Sequence, residues 1–391
     1  MMARRLYFIG LLMMSLIIIA SCAAPAVPSP APIPRQATPA SIPTSNIPPS
    51  TSQDAPDKSG QAWVKVVEAG KKEGKLTVYT VHLFGDMGNE MSKIFFERMG
   101  IRVEMVSSGS SATLIERIKV ERRTGSQVPS ILTGAGSFVL SAKQDGLTEK
   151  MGEIPEVNDE SIYRYDPKMD KDGHMLSQQL LTMSPWINTK IIKPGTEPRT
   201  WRELLKPEWK GKIGISNPDT GPNSIYIFYG LTSRGKLDQS YFTELAKQDL
   251  QWYANVGLAS SSLSQGEVPL TFANVPAANS LGPFLLEGAP LKALDMAEGI
   301  PIYRSGAVAL LQGAPHPNAA RVFINWLFSK EGVTTFSKYS LTVGFRKDVP
   351  SFIPPPGQLT PANPIMMTLE DELEIAKIQR ERTLTKMLRG S

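Results

Sequence analysis

The chain is poor in the residues that thiol and metal chemistry need: 391 residues hold one cysteine and three histidines. A lone Cys22 excludes an intramolecular disulfide framework and any zinc site built on two or more thiolates. His82, His174 and His316 stand too far apart for the i, i+4 histidine pair of a helical metalloprotease motif. No Gly-x-Ser-x-Gly elbow or histidine-centred nucleophile motif occurs, so no catalytic residue is assigned. A basic stripe is also missing. The 42 Lys and Arg are interspersed with 37 Asp and Glu, and two of the cations are Arg4 and Arg5 in a leader. That pattern argues against nucleic acid as a partner. The apolar run from Leu6 to Ala20 falls short of the roughly 20 residues a membrane span needs.

What is present begins with an address. Arg4-Arg5, the apolar run and Ser21-Cys22 read as the basic, apolar and small-residue parts of a secretory signal over residues 1–21. Ile19-Ala20-Ser21-Cys22 resembles a bacterial lipobox, which implies cleavage before Cys22 and a lipid anchor on it. Residues 22–59 follow as a tether. Ten of the 32 prolines fall between Pro25 and Pro56, among Ala, Ser and Thr. Such a segment buries too little apolar surface to offset the entropy of ordering. At about 3 Å per residue, its roughly 35 residues reach on the order of 100 Å.

From residue 60 the pattern is α/β. Lys75–Thr80, Ile101–Val106, Val128–Thr133 and Ile213–Ser216 read as strands. Helical stretches follow, with Met91, Ile94, Phe95 and Met99 on one face, then Leu114, Ile115 and Ile118. Thr113–Glu116 and Thr200–Glu203 have capping-box spacing. Ala319, Val322, Phe323, Trp326 and Leu327 predict an amphipathic helix, with Pro317 at its start. The tail from Thr368 to Leu388 predicts one helix carrying Leu373, Ile378, Leu384 and Leu388 as a docking stripe. Strand, loop and helix in alternation predict a largely parallel sheet, whose ligands gather at the strands' carboxyl ends.

Those ends supply the candidate ligand residues. They are Tyr79, Thr80 and His82, then Ser108 and Ser110, then Thr133 and Gly134, then Thr220, Gly221 and Asn223. Hydroxyls and backbone N–H groups at helix starts suit an anion, because the helix dipole favours negative charge there. Phe272, Asn274, Tyr303 and Trp186 complete the set as walls of the site. Cationic polyamines want carboxylates, and only Asp219 is acidic among these loops. Gly134-Ala135-Gly136 is a fragment of a dinucleotide fingerprint and supports no cofactor. His316, between two prolines, reads as structural, as do Trp201 and Trp209.

Five patches, in order, resemble the bacterial extracellular solute-binding proteins of ABC importers, in the branch that includes ferric-iron binders. They are Gly74–Tyr79, Asn188-Thr189-Lys190, Pro198–Ile213, Gly266–Leu270, and Gly313–Ala320 with Ser329–Gly332, Arg346 and Asp348. The resemblance implies a two-lobed periplasmic-binding-protein fold of the second type, with the ligand in the cleft between lobes. The first lobe would comprise residues 60–184 and 306–391 with a C-terminal helix, the second residues 185–305. The chain would cross near Pro185 and return near Val308. The function implied is that of an exported, lipid-anchored, monomeric receptor on the outer side of a bacterial membrane. It would close on a small anion and deliver it to a membrane permease without breaking a bond in it. Iron-binding members carry a tyrosine pair soon after the strand matching Gly266-Glu267-Val268, with a His and a Glu on first-lobe loops. Here Pro269–Ala277 holds no tyrosine, Gly134 stands at the Glu position, and His82 lies within one residue of the His. One imidazole without hard oxygen partners does not hold Fe³⁺, so no metal ligand is assigned. Ferric transport and a ligand-sensing lipoprotein remain the alternatives.

Overall fold

The computed structural model describes residues 58–389, apart from 84, 108–110, 221–222, 276–279, 343, 354 and 356. The leader, Cys22 and the tether up to residue 57 lie outside the described residues, as do Ser108, Ser110 and Gly221. Helix α1 (Lys58–Glu73) already includes the tether's last two residues, Lys58 and Ser59. No described helix is long and apolar enough to cross a membrane.

Strands β1 (Lys75–Thr80), β2 (Arg102–Ser107) and β3 (Ile131–Gly134) are mutually parallel around β1. Helices α2 (Gly85–Met99) and α3 (Ser111–Arg123) connect them, and α4 (Gly136–Gln144) and β4 (Thr148–Glu149) follow. Two long strands, β5 (Leu176–Asn188) and later β10 (Ile300–Leu311), run antiparallel through both halves of the molecule. Between them lie β6 (Ile213–Ser216), α5 (Asn223–Thr232), α6 (Gln239–Ala246), β7 (Gln251–Tyr253) and α7 (Val256–Gln265). Then come β8 (Leu270–Val275), α8 (Gly282–Leu286) and β9 (Leu291–Ala293). After β10 the chain forms α9 (Pro317–Phe328), α10 (Lys330–Ser340), β11 (Pro364–Met366), α11 (Leu369–Glu381) and α12 (Thr383–Arg389). The curled sheet has the order β2-β1-β3-β10-β5-β8-β6-β7, with β4 and β11 on β10 and β9 on β5.

Each half of the sheet is covered on both faces, as parallel strands require. In the first lobe Leu76, Val78, Ile131 and Val308 pack beneath α2, α9 and α10. Tyr79, Leu132 and Ala307 pack beneath α3 and α4 on the other face. In the second lobe Ile213, Ile215, Leu270 and Phe272 face α5 and α6. Trp186 and Ala273 face α7 and α8. The alternation of side chains along each strand produces these paired cores.

Local signals hold where a side chain closes a bond. Thr200 and Glu203 form the predicted capping box, opening a short 3₁₀ turn at Trp201. Pro317 starts α9 at its first position. Elsewhere the structure differs. Thr113 and Glu116 form no box, because α3 already includes Ser111. The strand predicted from Val128 begins only at Ile131, since the Val128 N–H turns to the Glu121 carboxylate instead of a ladder partner. The single C-terminal helix breaks at Arg382, whose φ is 56°. Of its stripe, Leu384 and Leu388 are buried but Leu373 is 37% exposed, and Ile375 takes the inward place. The sequence reading assigns all of 306–391 to the first lobe, and the structure divides that stretch. Helices α9 and α10 stay there, whereas Ile375, Leu384 and Leu388 complete the second-lobe core.

Candidate functional site

Strands β1 and β3 are neighbours in the parallel sheet, so their carboxyl ends open on the same side. Thr80 Oγ1 accepts from the His82 N–H (3.1 Å), the Leu83 N–H (2.8 Å) and the Thr133 hydroxyl (2.7 Å). This side-chain turn ends β1 and sets His82 at the strand end. The His82 ring bonds to the Gly134 backbone, and burial holds its pKa below the ordinary imidazole value. Its Nε2 is buried with no partner among the described residues. Next to it, Ser111 Oγ accepts from the Ala135 N–H at 3.2 Å, tying the start of α3 to the start of α4. A Cβ on Gly134 would lie 2.8 Å from Ser111 Oγ, so a larger residue here would displace the Ser111 hydroxyl from the Ala135 N–H.

The crossing strands pass beside this corner. Gly134 pairs with Ala307 on β10, and Ala307 pairs with Ser177 on β5. Gly306, at φ 67°, interrupts the ladder next to Gln178, whose Oε1 is buried without a partner among the described residues. Ser177 donates to the Ser305 carbonyl (2.9 Å), and Gln179 Nε2 donates to Ser305 Oγ (3.3 Å). On the second lobe β6 ends at Ser216, whose Oγ is a third buried atom without a partner among the described residues. The Ser224 hydroxyl, in the first turn of α5, donates to the Ser216 carbonyl at 3.4 Å.

Thus orphaned polar groups sit at strand ends of both lobes and on a strand that joins them. Buried polar groups are ordinarily paired, so such atoms point to a ligand that pairs them. The first-lobe groups surround the starts of two helices, where N–H groups are left over by helix geometry. Neutral His82 with one nitrogen committed to Gly134 keeps the other as an acceptor, which becomes a donor on protonation.

The structure brings Thr80, His82, Thr133 and Gly134 together as the sequence reading expects. Others go elsewhere. Tyr79 points away from the strand end into the α3 side of the core, donating to Glu121 at 2.5 Å beneath Arg117. Burial and the Glu121 carboxylate raise its pKa. Alternation along β1 forces this, since Thr80 and Tyr79 face opposite ways. Thr220 spends its hydroxyl on the carbonyls of Asn217 (3.0 Å) and Ala254 (2.5 Å), closing a turn. Phe272 is 2% exposed and packs on Trp201, and Trp186 is wholly buried, so neither walls a cleft. Tyr303 lies on the crossing strand but stacks on Tyr226 at 3.8 Å. Asn223 opens α5, and the Asn274 side chain lies outside what is described. Asp219 caps nothing. It accepts from Arg382 (2.8 Å) and Thr385 (2.6 Å). Ser111 stands in the expected Ser107–Ser111 loop, whereas Gln178 and Ser216 escaped the sequence reading.

A cavity of about 550 Å³ lies elsewhere, at the amino ends of β1 and β2, lined by Lys75, Arg102, Glu104 and His316 among others. His316 Nδ1 in its lining is also buried without a partner among the described residues, but ligands of open α/β sheets bind at the carboxyl ends of the strands, so the volume does not mark the site. No cluster of three or more His, Cys, Asp or Glu is placed to hold a metal among the described residues.

The sequence profile of bacterial extracellular solute-binding proteins matches residues 76–342. The chain belongs to that family. The family consists of periplasmic binding proteins that serve ABC importers, and this solute-binding protein has their type II fold. Among relatives, a putative 2-aminoethylphosphonate-binding periplasmic protein of Salmonella typhi is 25% identical over 294 residues, covering 71% of this chain and 80% of that one. Iron-bound HitA from Pseudomonas aeruginosa superposes with a TM-score of 0.60 at 18% identity, covering 81% of this chain and 98% of that one. AfuA from Actinobacillus pleuropneumoniae, with fructose-6-phosphate bound, gives 0.57 at 21%, covering 80% and 97%. At these identities the two structures bear on the fold alone.

Proposed function

We propose that this solute-binding protein captures a small organic anion, with organophosphonates the first class to test, and passes it to a membrane permease. The observation that carries the reading is that three of the nine buried side-chain atoms without a partner among the described residues, His82 Nε2, Gln178 Oε1 and Ser216 Oγ, lie at strand ends of both lobes and on a crossing strand. A ligand contacting both lobes favours the arrangement in which they meet. The helix starts at Ser111 and Gly136 supply N–H groups for the anion, His82 Nε2 meets it by taking up a proton, and Gln178 Oε1 offers an acceptor to a ligand N–H or O–H. The phosphonate named for the Salmonella relative has both kinds of group. The Cys22 lipid would hold the protein, as a monomer, at the outer surface of a membrane.

Titration calorimetry on the purified chain tests this with 2-aminoethylphosphonate, ethylphosphonate, sulfate and Fe³⁺–citrate. Micromolar affinity, about 8 kcal/mol, for a phosphonate is expected. Binding of Fe³⁺ with a charge-transfer colour, and of no anion, would replace this reading with ferric transport.

A further inference from the structure

The C-terminal segment belongs to one lobe and touches the other. On the second lobe Asp371 pairs with Arg234, just beyond α5, at 2.5 Å, and Asp219 holds Arg382 and Thr385. Gln379 donates to the Pro218 carbonyl at 3.2 Å, and Ile375, Leu384 and Leu388 enter that lobe's core. The first turn of α11 instead reaches the first lobe. Leu369 packs against the core beneath α3 and α4. Glu372, 5% exposed, accepts from Tyr226 at 2.5 Å, and a Cβ on Gly136 would lie 3.7 Å from its carboxyl carbon.

We propose that residues 364–389 form a latch, anchored on the second lobe, whose Leu369 and Glu372 hold the first lobe at the start of α4 and so bias the motion of the lobes. A buried carboxylate is costly unless it is paired or neutral. Among the described residues no Lys, Arg or His pairs with Glu372, and its one partner is the Tyr226 phenol. The groups that face it are Asp371 on its own helix, Tyr226 on α5, and Tyr303 and Arg304 on β10. Arg304 gives one terminal nitrogen to the Lys168 carbonyl at 2.5 Å, its Nε is buried without a partner among the described residues, and it forms no ion pair with Glu372. The first lobe presents Gly136 and Met169, which carry no charge. Burial raises the Glu372 carboxyl to about 7. In a disengaged state, with Glu372 in water, its pKa returns to the ordinary carboxyl value. The engaged state is therefore fully favoured below that value, and loses ground as the pH rises to about 7. This inference does not depend on the ligand.

Double electron–electron resonance reads the lobe separation without ligand. The full chain would carry Cys22→Ser, with spin labels at Glu116→Cys on α3 and Lys247→Cys beyond α6. The expected result is a change of about 2 Å or more in mean distance between pH 5 and pH 8. Glu372→Gln should keep the pH 5 distribution at both values, and Leu369→Ala should show the pH 8 distribution at pH 5. An unchanged wild-type distribution would overturn the latch. So would a Glu372→Gln chain that follows wild type, or a Leu369→Ala chain that keeps the pH 5 distances.

Discussion

Thr133 donates a 2.7 Å hydrogen bond to Thr80, joining the carboxyl ends of two parallel strands beneath the loop that carries His82. Because the same Thr80 oxygen also accepts the His82 and Leu83 N–H groups, one hydroxyl fixes both the turn and its neighbour. Thr80→Val keeps the shape and removes the acceptor. It should cost about 1–3 kcal/mol of stability, the range for buried donors left unpaired. Ligand affinity should fall about tenfold, because His82 is no longer held in place. Chemical denaturation and titration calorimetry on one preparation check both. Unchanged stability would mean that the turn is set by packing alone.

The His82 ring gives binding a pH dependence of definite sign. Burial depresses its pKa, so the folded protein keeps it neutral where a free imidazole would be half charged. Stability from this group is complete above the unfolded value of about 6.5 and is lost as the pH falls through the lower folded value. An anion beside Nε2 reverses the preference, since a nearby negative charge favours imidazolium. Ligand binding should then take up a proton, with affinity rising as the pH falls from 8 toward 6. Calorimetry in buffers of different ionisation enthalpy measures that uptake. In His82→Asn it should vanish.

Tyr79 supplies the contrast. Its hydroxyl is bonded to Glu121 on α3, and Arg117 covers the ring while also binding Glu121 at 2.8 Å. Tyr79→Phe should therefore destabilise the fold by about 1–3 kcal/mol, as for a bond to a charged group. Ligand affinity should stay within twofold of wild type. A large loss of affinity at unchanged stability would return Tyr79 to the binding site.

The contrast also shows what the sequence could and could not convey. Both Tyr79 and Thr80 stand at a recognisable strand end, and the run Lys75–Thr80 announces the strand plainly. Which of the two faces the loop depends on register against α3, through Glu121 at a separation of 42 residues. The same limit explains Phe272, read as a wall of the cleft and found against Trp201. The capping box at Thr200 was legible because its partners lie three residues apart. Gln178 was not, because its meaning comes from Gly306 on a strand more than a hundred residues later. The division of the C-terminal stretch between lobes likewise rests on Asp219 meeting Arg382, a pairing that no local pattern encodes.

Arg346 offers a test of how the first lobe is closed at its far end. It is 8% exposed and binds Glu156 (2.7 Å), Asp348 (2.9 Å) and the Phe328 carbonyl (3.1 Å). The neighbouring carboxylates hold its pKa above the ordinary guanidinium value, and Arg346 in turn lowers that of Asp348. Removing one member of a buried ion pair leaves the other uncompensated, at about 3–5 kcal/mol. Glu156 and Asp348 are each about a third or more exposed, so water screens part of that cost, and about 2–3 kcal/mol is expected for Arg346→Met. Arg346 depresses the Asp348 pKa, so the stability it lends is lost as the pH falls through that lowered value, and the deficit should shrink in acid. Denaturant midpoints at pH 7 and pH 3.5 would show this, and an equal loss at both would assign the role of Arg346 to its packing on Tyr163.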